Sequence, residues 1–178
     1  MEKLRDYISF DLEFNEHQDK THLIQVSAVR FKDGEEIGAF DSYVHTDVPL
    51  KSFINGLTGI TSETLKDAPM VEEVLKNFQD FVGELPLVGY NAAKSDLPIL
   101  LEHGLDYSSQ YLVDLYDEAF ERRSSDLHGI ANLKLQTVAE FLGFKGQSHN
   151  SLEDARMTAR VYEAFLESDE SRILLDSK

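Results

Sequence analysis

Cysteine is absent from the 178 residues, which excludes disulfides and thiolate metal sites and fits a reducing compartment. Positive charge is scarce: 17 Lys and Arg face 33 Asp and Glu, giving a formal charge of −16. Non-specific affinity for nucleic acid comes largely from Lys and Arg neutralising phosphates, so this balance argues against an extended polyanion groove. It leaves room for phosphate chemistry if bound cations offset some acids, or if only a short strand terminus is gripped. Long apolar runs are missing too. The start, Met1-Glu2-Lys3-Leu4-Arg5-Asp6, lacks the apolar core of a signal peptide, and no later segment is apolar enough to span a bilayer. A cytoplasmic protein without a membrane partner is expected. No repeat, low-complexity linker or long loop divides the chain, and its length suits one domain over residues 1–178.

What is present begins with three strand-like runs, at 7–14, 22–31 and 37–45. The last two are separated by Lys32-Asp33-Gly34-Glu35, and Asp-Gly between such runs signals a hairpin. Val71, Val74, Leu75, Phe78, Phe81 and Val82 then recur at helical spacing along one stripe. A fourth strand is expected in Leu85–Tyr90, a helix around Leu97–His103 and a short fifth strand at Tyr111–Leu115. Further helical patterns cover 115–123, 133–142 and 151–167, leaving 168–178 as a polar-rich tail, either a frayed helix end or a docking segment. Three strands followed by helices alternating with two more predict an α/β domain with a mixed sheet.

Ile8-Ser9-Phe10-Asp11-Leu12-Glu13-Phe14 puts Phe10, Leu12 and Phe14 on one face of the first strand and two acids on the other. A solvated strand face explains any isolated Asp-x-Glu. The alternative is a site for a hard divalent cation, which prefers carboxylate oxygens, but taken alone the motif favours the solvated face. Asp96 follows the fourth strand near a helix start, where it either caps the helix or reaches a ligand at the strand's carboxyl end. Asp154 falls in the first turn of the last helix, after Asn150 or Ser151 as cap, a position that the helix dipole alone favours for an acid. His149 lies on the loop entering that helix, and an imidazole near neutrality is suited to accept a proton.

Taken in order, these pieces resemble the DEDDh 3′–5′ exonucleases, the family of the epsilon proofreading subunit of bacterial DNA polymerase III. The carriers are Phe10-Asp11-Leu12-Glu13, the segment with Gly89, Asn91 and Asp96, and His149-Asn150-Ser151-Leu152-Glu153-Asp154-Ala155, joined by Leu57-Thr58-Gly59-Ile60-Thr61. They span residues 7 to about 167. The chain departs from the family pattern where Phe14-Asn15-Glu16 replaces the frequent Thr-Thr-Gly, Tyr90 replaces the usual His before Asn91, and Ser95 replaces an aromatic before Asp96. The spacing from Asn91 to Asp96 is one longer than in the proofreading subunit and looks like that of TREX-type exonucleases. These departures bear on substrate preference and leave the acids in place.

The resemblance implies a ribonuclease-H-like α/β fold, a mixed five-stranded sheet flanked by helices. It further implies two divalent cations, Mg²⁺ or Mn²⁺, held by Asp11, Glu13, Asp96 and Asp154, with His149 as general base. The implied reaction releases nucleoside 5′-monophosphates from a DNA 3′ end, single-stranded or frayed. RNA or short oligoribonucleotides are the alternative substrate, and a non-catalytic module binding nucleic acid or a replication protein is the alternative class. Leu12, Leu57, Thr58, Ile60 and Asn91 are the expected substrate contacts, with Thr61 capping the next helix; Leu57 and Ile60 would otherwise be core residues. Asp114 is expected to be structural, and Lys94, Lys134 and Lys145 are the candidate cations for the rest of the strand. So little positive charge implies low processivity, or delivery by a replication or repair partner.

Overall fold

The computed structural model describes residues 1–146 and 149–176. β1 (Asp6–His17), β2 (Lys20–Lys32) and β3 (Glu35–Tyr43) form an antiparallel meander. Both connections are two-residue turns with left-handed backbone, Gln18-Asp19 and Asp33-Gly34, the type I′ geometry whose twist matches that of flanking strands. β4 (Leu87–Gly89) and β5 (Leu112–Asp114) add in parallel on the other side of β1, giving the order β3-β2-β1-β4-β5. The mixed five-stranded sheet expected from the sequence is thus observed.

The period-two pattern of β1 feeds two cores. Ile8, Phe10 and Leu12 pack with Val26 and Ala28 under α3 (Val71–Val82) and α4 (Asp96–Glu102). On the opposite face Tyr7 packs against α7 (Ser151–Asp176), with its ring 5.0 Å from that of Tyr162 in an edge-on arrangement. α5 (Leu115–Glu121) and α6 (Leu135–Phe141) complete that layer. Burying each large apolar side chain in such cores is worth about 1.5–3 kcal/mol, so the alternation fixes which face of β1 meets α7.

Two elements differ from the sequence expectation. α1 (Ser52–Thr58) stands where the sequence predicts no helix; with Asn55-Gly56 inside it and no side-chain cap, nothing local announces it. It is held by tertiary packing, since Ile54 joins Ile24, Ile60 and Leu65 in a small third cluster with α2 (Ser62–Lys66). The last helix also runs on to Asp176 rather than ending near 167. Its 168–172 part is docked: Asp169 pairs with Arg122 at 2.8 Å, Ser168 donates to Asp126 at 2.9 Å, and Arg172 pairs with Asp126, whereas Ile173, Leu174 and Leu175 are exposed. No described helix is long and apolar enough to cross a membrane.

Candidate active site

β1 and α7 run side by side, and their contacts can be followed along the strand. Tyr7 meets Tyr162, and then the buried Ser9 hydroxyl donates to the Ala155 carbonyl at 2.6 Å. The next two residues on that face, Asp11 and Glu13, therefore arrive at the first turn of α7, where Asp154 projects. Carboxylate oxygens of Asp11, Glu13 and Asp154 all lie within 4.8 Å of one another. Asn150 caps the helix: its side-chain oxygen accepts from the Leu152 N–H at 3.1 Å and its carbonyl accepts from the Asp154 N–H at 2.9 Å. Of the two caps the sequence allowed, Asn150 is the one used.

Asp96 comes from the third direction, the loop after β4. That strand ends on Gly89, where only glycine fits, because a Cβ there would stand 2.5 Å from Ala92 Cβ and 3.3 Å from the Phe10 ring. Asn91 then turns the chain in the left-handed region, at φ +55°. Asp114 holds this turn together: its carboxylate accepts from the backbone N–H groups of Asn91 (2.7 Å), Ala93 (3.0 Å) and Tyr116 (3.1 Å). The structural role expected for Asp114 is observed, and it also caps α5. Asp96 itself is buried at the start of α4 and accepts from the Leu12 backbone N–H.

The electrostatics of the cluster are unfavourable as it stands. Burial, followed by the charges of Asp96, Glu13 and Asp154, pushes the Asp11 carboxyl well above its usual range. Burial, with Asp154 and Asp96, pushes Glu13 up to about 8. Burial pushes Asp96 up to about 7 against the opposing hydrogen bonds from Leu12 and its own backbone, with Asp114 adding to the rise. No Lys, Arg or His acts as counterion to Asp11, Glu13 or Asp96 among the described residues. Oxygen-only donors, close together and partly buried, fit a hard divalent ion such as Mg²⁺ or Mn²⁺.

A polar support behind the acids was not legible in the sequence. In the β1–β2 register Asp11 faces Ser27 and Glu13 faces Gln25, so those side chains share the acids' face. The Ser27 hydroxyl donates to Asp41 on β3 at 2.6 Å, and Gln25 Nε2 donates to the same Asp41 oxygen at 2.9 Å. The Ser27 proton being so engaged, the Ser151 hydroxyl of α7 donates to Ser27 Oγ at 2.5 Å. This chain ties the start of α7, three residues before Asp154, to the middle of the sheet. Asn15 is a second such residue. Fully buried, it donates to the Pro49 carbonyl (3.2 Å) and accepts from the Lys51 N–H (2.9 Å), anchoring the segment that leads into α1. An asparagine inside a strand is the signal that could have marked it, since that side chain favours bonds to backbone over strand packing.

The remaining expected residues are distributed unequally. His149 is exposed, two residues before α7. Leu57 is 45% exposed on α1 and free to touch a ligand. Thr58 spends its hydroxyl on structure, donating to the Ile54 carbonyl at 2.7 Å and accepting from the Ile60 N–H at 3.1 Å. Ile60 and Leu12 are buried in cores, at 1% and 4% exposure, which for Ile60 is the core alternative, and the Leu12 N–H donates to Asp96. Thr61 caps α2 as expected, accepting from the Thr64 N–H at 3.1 Å. Tyr90 turns its hydroxyl away to the Leu133 carbonyl, at 2.7 Å.

A mixed sheet in this order, with acids converging from β1, the β4–α4 loop and α7, is the architecture of an exonuclease domain. The profile of the RNase T exonuclease family matches residues 8–162, and the chain belongs to that family. It is 31% identical to the PolC-type DNA polymerase III of Caldanaerobacter subterraneus subsp. tengcongensis over 168 residues, covering 91% of this chain and 12% of that protein. It is 28% identical to the DNA polymerase III subunit epsilon of Aquifex aeolicus over 173 residues, covering 93% of this chain and 85% of that one. The chain thus spans about an eighth of that PolC-type polymerase. Among solved structures, the nuclease domain of 3′hExo, a DEDDh family member, superposes with a TM-score of 0.73 at 21% identity, covering 92% of each chain. E. coli ExoI from its complex with ssDNA superposes with a TM-score of 0.76 at 16% identity, covering 95% of this chain and 42% of ExoI. These likenesses confirm the fold expected from the sequence.

Proposed function

We propose that the domain hydrolyses the terminal phosphodiester at the 3′ end of DNA, working 3′ to 5′ and releasing nucleoside 5′-monophosphates. The observation that carries this reading is the cluster of Asp11, Glu13 and Asp154, with Asp96 beside it, in a chain of exonuclease ancestry. Asp11, Glu13 and Asp154, whose carboxylate oxygens converge, and the adjoining Asp96 are the residues that would hold two divalent cations, Mg²⁺ or Mn²⁺. Bound there, such ions neutralise the phosphate and make the attacking water more acidic. His149, exposed at the entrance to α7, takes the proton from that water. Leu57 and Asn91 contact the terminal nucleotide. DNA is favoured over RNA by the two DNA polymerase III relatives, which also favour a replication protein as partner. The reading includes a single domain and a cytoplasmic setting.

The test is incubation of the protein with 5′-labelled single-stranded DNA, duplex DNA with a mismatched 3′ end, and RNA, each with Mg²⁺, Mn²⁺ or EDTA. A ladder shortening from the 3′ end, fastest on DNA and abolished by EDTA, is the expected result. No cleavage of any substrate would leave a binding module instead, and RNA cleaved faster than DNA would reverse the substrate assignment. His149→Ala is expected to slow turnover by about 10²–10⁴-fold with Mn²⁺ affinity retained; loss of both together would remove His149 from the role of base.

A further inference from the structure

The edge strand β3 supplies none of the clustered acids, yet two of its carboxylates act on the first two turns of α7. Glu36 does so directly. The β2–β3 register shifts between Arg30 and Phe31, so that Gly38 faces Arg30, Glu36 faces Phe31 and Ile37 is the extra residue. A bulge re-aims the side chains beside it, and this one turns Glu36 to the α7 side of the sheet, where Phe31 also packs. The Glu36 carboxylate accepts from Arg156 Nε at 3.1 Å and from Nη2 at 2.9 Å, while Arg156 Nη1 donates to Glu153 at 2.5 Å. Arg156 and Glu36 are 31% and 36% accessible, so water screens the pair.

Asp41 acts through a buried path. Ser27 and Ser151 are fully buried, as is Ser9, whose hydroxyl holds the Ala155 carbonyl. These small side chains let α7 lie close to β1 and β2, and hydroxyls buried there need partners. A serine has one proton to give. Because Ser27 gives its proton to Asp41, its lone pair is left to receive Ser151, and the carboxylate on β3 thereby orients a bond made to α7. Ser151 opens that helix, and residues three apart on a helix share a face. The Ser27–Ser151 bond therefore sets how far Asp154 is pushed toward Asp11 and Glu13.

We propose that Asp41 is a positioning residue for the metal site: through Ser27 and Ser151 it fixes the start of α7, and with it the distance of Asp154 from Asp11 and Glu13. The Glu36–Arg156 pair is a weaker, outer tether on the same helix. The inference rests on the reading of the acids as metal ligands given above.

The test is calorimetric titration of the protein with Mn²⁺ alone, alongside kcat and KM on single-stranded oligothymidylate and melts in EDTA. Asp41→Ala and Ser151→Ala are each expected to weaken Mn²⁺ binding about tenfold, the scale of losing a group that orients a metal ligand. At limiting Mn²⁺ each lowers kcat, with KM for the oligonucleotide within about twofold of wild type. The double variant should bind Mn²⁺ no more weakly than either single one, because both cut the same path. Asp41→Asn, whose amide oxygen still accepts from Ser27, restores the affinity, and Arg156→Ala shifts it by less than about twofold. Asp41 is itself exposed, so its truncation opens no core cavity, and Ser151→Ala loses a single oxygen. A lower melting temperature with unchanged Mn²⁺ affinity, losses that add in the double variant, or an equal loss in Arg156→Ala each overturn the positioning role while leaving the nuclease assignment standing. A wild-type protein that neither binds Mn²⁺ nor shortens the oligonucleotide overturns the nuclease assignment itself, and the positioning role with it.

Discussion

β1 carries acids at both ends of its buried stretch, and the two ends are built on opposite principles. Asp6, at the start, is matched by Arg30 across the β1–β2 pair: Nε and Nη2 of the guanidinium reach the two carboxylate oxygens at 2.9 and 2.7 Å. The hydrogen bond from Arg30 outweighs desolvation and holds the Asp6 carboxyl below its usual range. Five residues on, Asp11 and Glu13 meet further carboxylates instead of a guanidinium, and burial with like charge pushes both up. The same strand can therefore satisfy an acid when structure is the only demand. Leaving the second pair without a cation reserves those oxygens for a ligand that the chain does not itself contain.

The comparison breaks most sharply under substitution. Asp11→Ala or Asp154→Ala should lower exonuclease turnover by at least about 10²–10³-fold, the scale of losing one preorganised electrostatic partner of the reacting phosphate. Asp6→Ala should leave turnover within about twofold. A rate assay on 5′-labelled single-stranded DNA measures all three. Comparable losses in Asp6→Ala and Asp11→Ala would show that both acids matter only to folding.

The next effect is on stability. Glu13 is pushed up by burial and by the charges of Asp154 and Asp96, so Glu13→Gln should raise the melting temperature of the metal-free protein, against the common trend for substitutions. Mn²⁺ or Mg²⁺ at about 100 times its dissociation constant should stabilise the wild type by about 2.7 kcal/mol and Glu13→Gln by less. Thermal melts with EDTA and with millimolar metal give both numbers. A wild-type melting temperature insensitive to metal would count against the acids as ligands.

These contrasts show where sequence was sufficient. Alternation at Ile8–Phe14 placed Phe10 and Leu12 in the core and the two acids on the other face, because a strand's period is exact and burial decides its phase. The motif around His149–Asp154 located the third acid, because a helix start brands its first turn with a cap, here Asn150. What escaped depended on partners distant in the chain. α1 has no local signature and exists because Ile54 packs on Ile24 and Leu65. Ser27 and Gln25 became the support of the acids only through the β1–β2 register and the approach of Asp41 and Ser151. Ile60 sat in a motif that pointed to substrate, and its burial at 1% follows from the cluster that α1 and α2 build around it.

Acidity separates the two ends of β1 by sign. For Asp11, Glu13 and Asp96 the folded state binds protons more tightly than the unfolded chain, so metal-free stability should fall as pH rises from the usual carboxyl range toward about 8. Saturating Mn²⁺ should flatten that fall by holding the acids ionised. Melts at pH 5 and pH 8, with and without metal, measure it; a metal-free protein more stable at pH 8 would contradict the raised carboxyl values.

The smallest expected effect lies at Asp6. Its lowered carboxyl makes the opposite contribution, present above the usual carboxyl range and lost as pH falls through the folded value. Asp6 and Arg30 are both partly exposed, with side chains 28% and 39% accessible, so solvent screens the pair and holds its worth near that of an ordinary surface ion pair. Asp6→Asn should therefore lower the melting temperature only slightly at pH 7, and the gap to wild type should close as the pH drops toward 3. Added salt should narrow the same gap at pH 7, because exposed charges are screened over about 8–10 Å at physiological ionic strength. A gap that persists unchanged in acid and in salt would mean that Asp6 acts through packing, and the contrast between the two ends of β1 would then be one of position rather than charge.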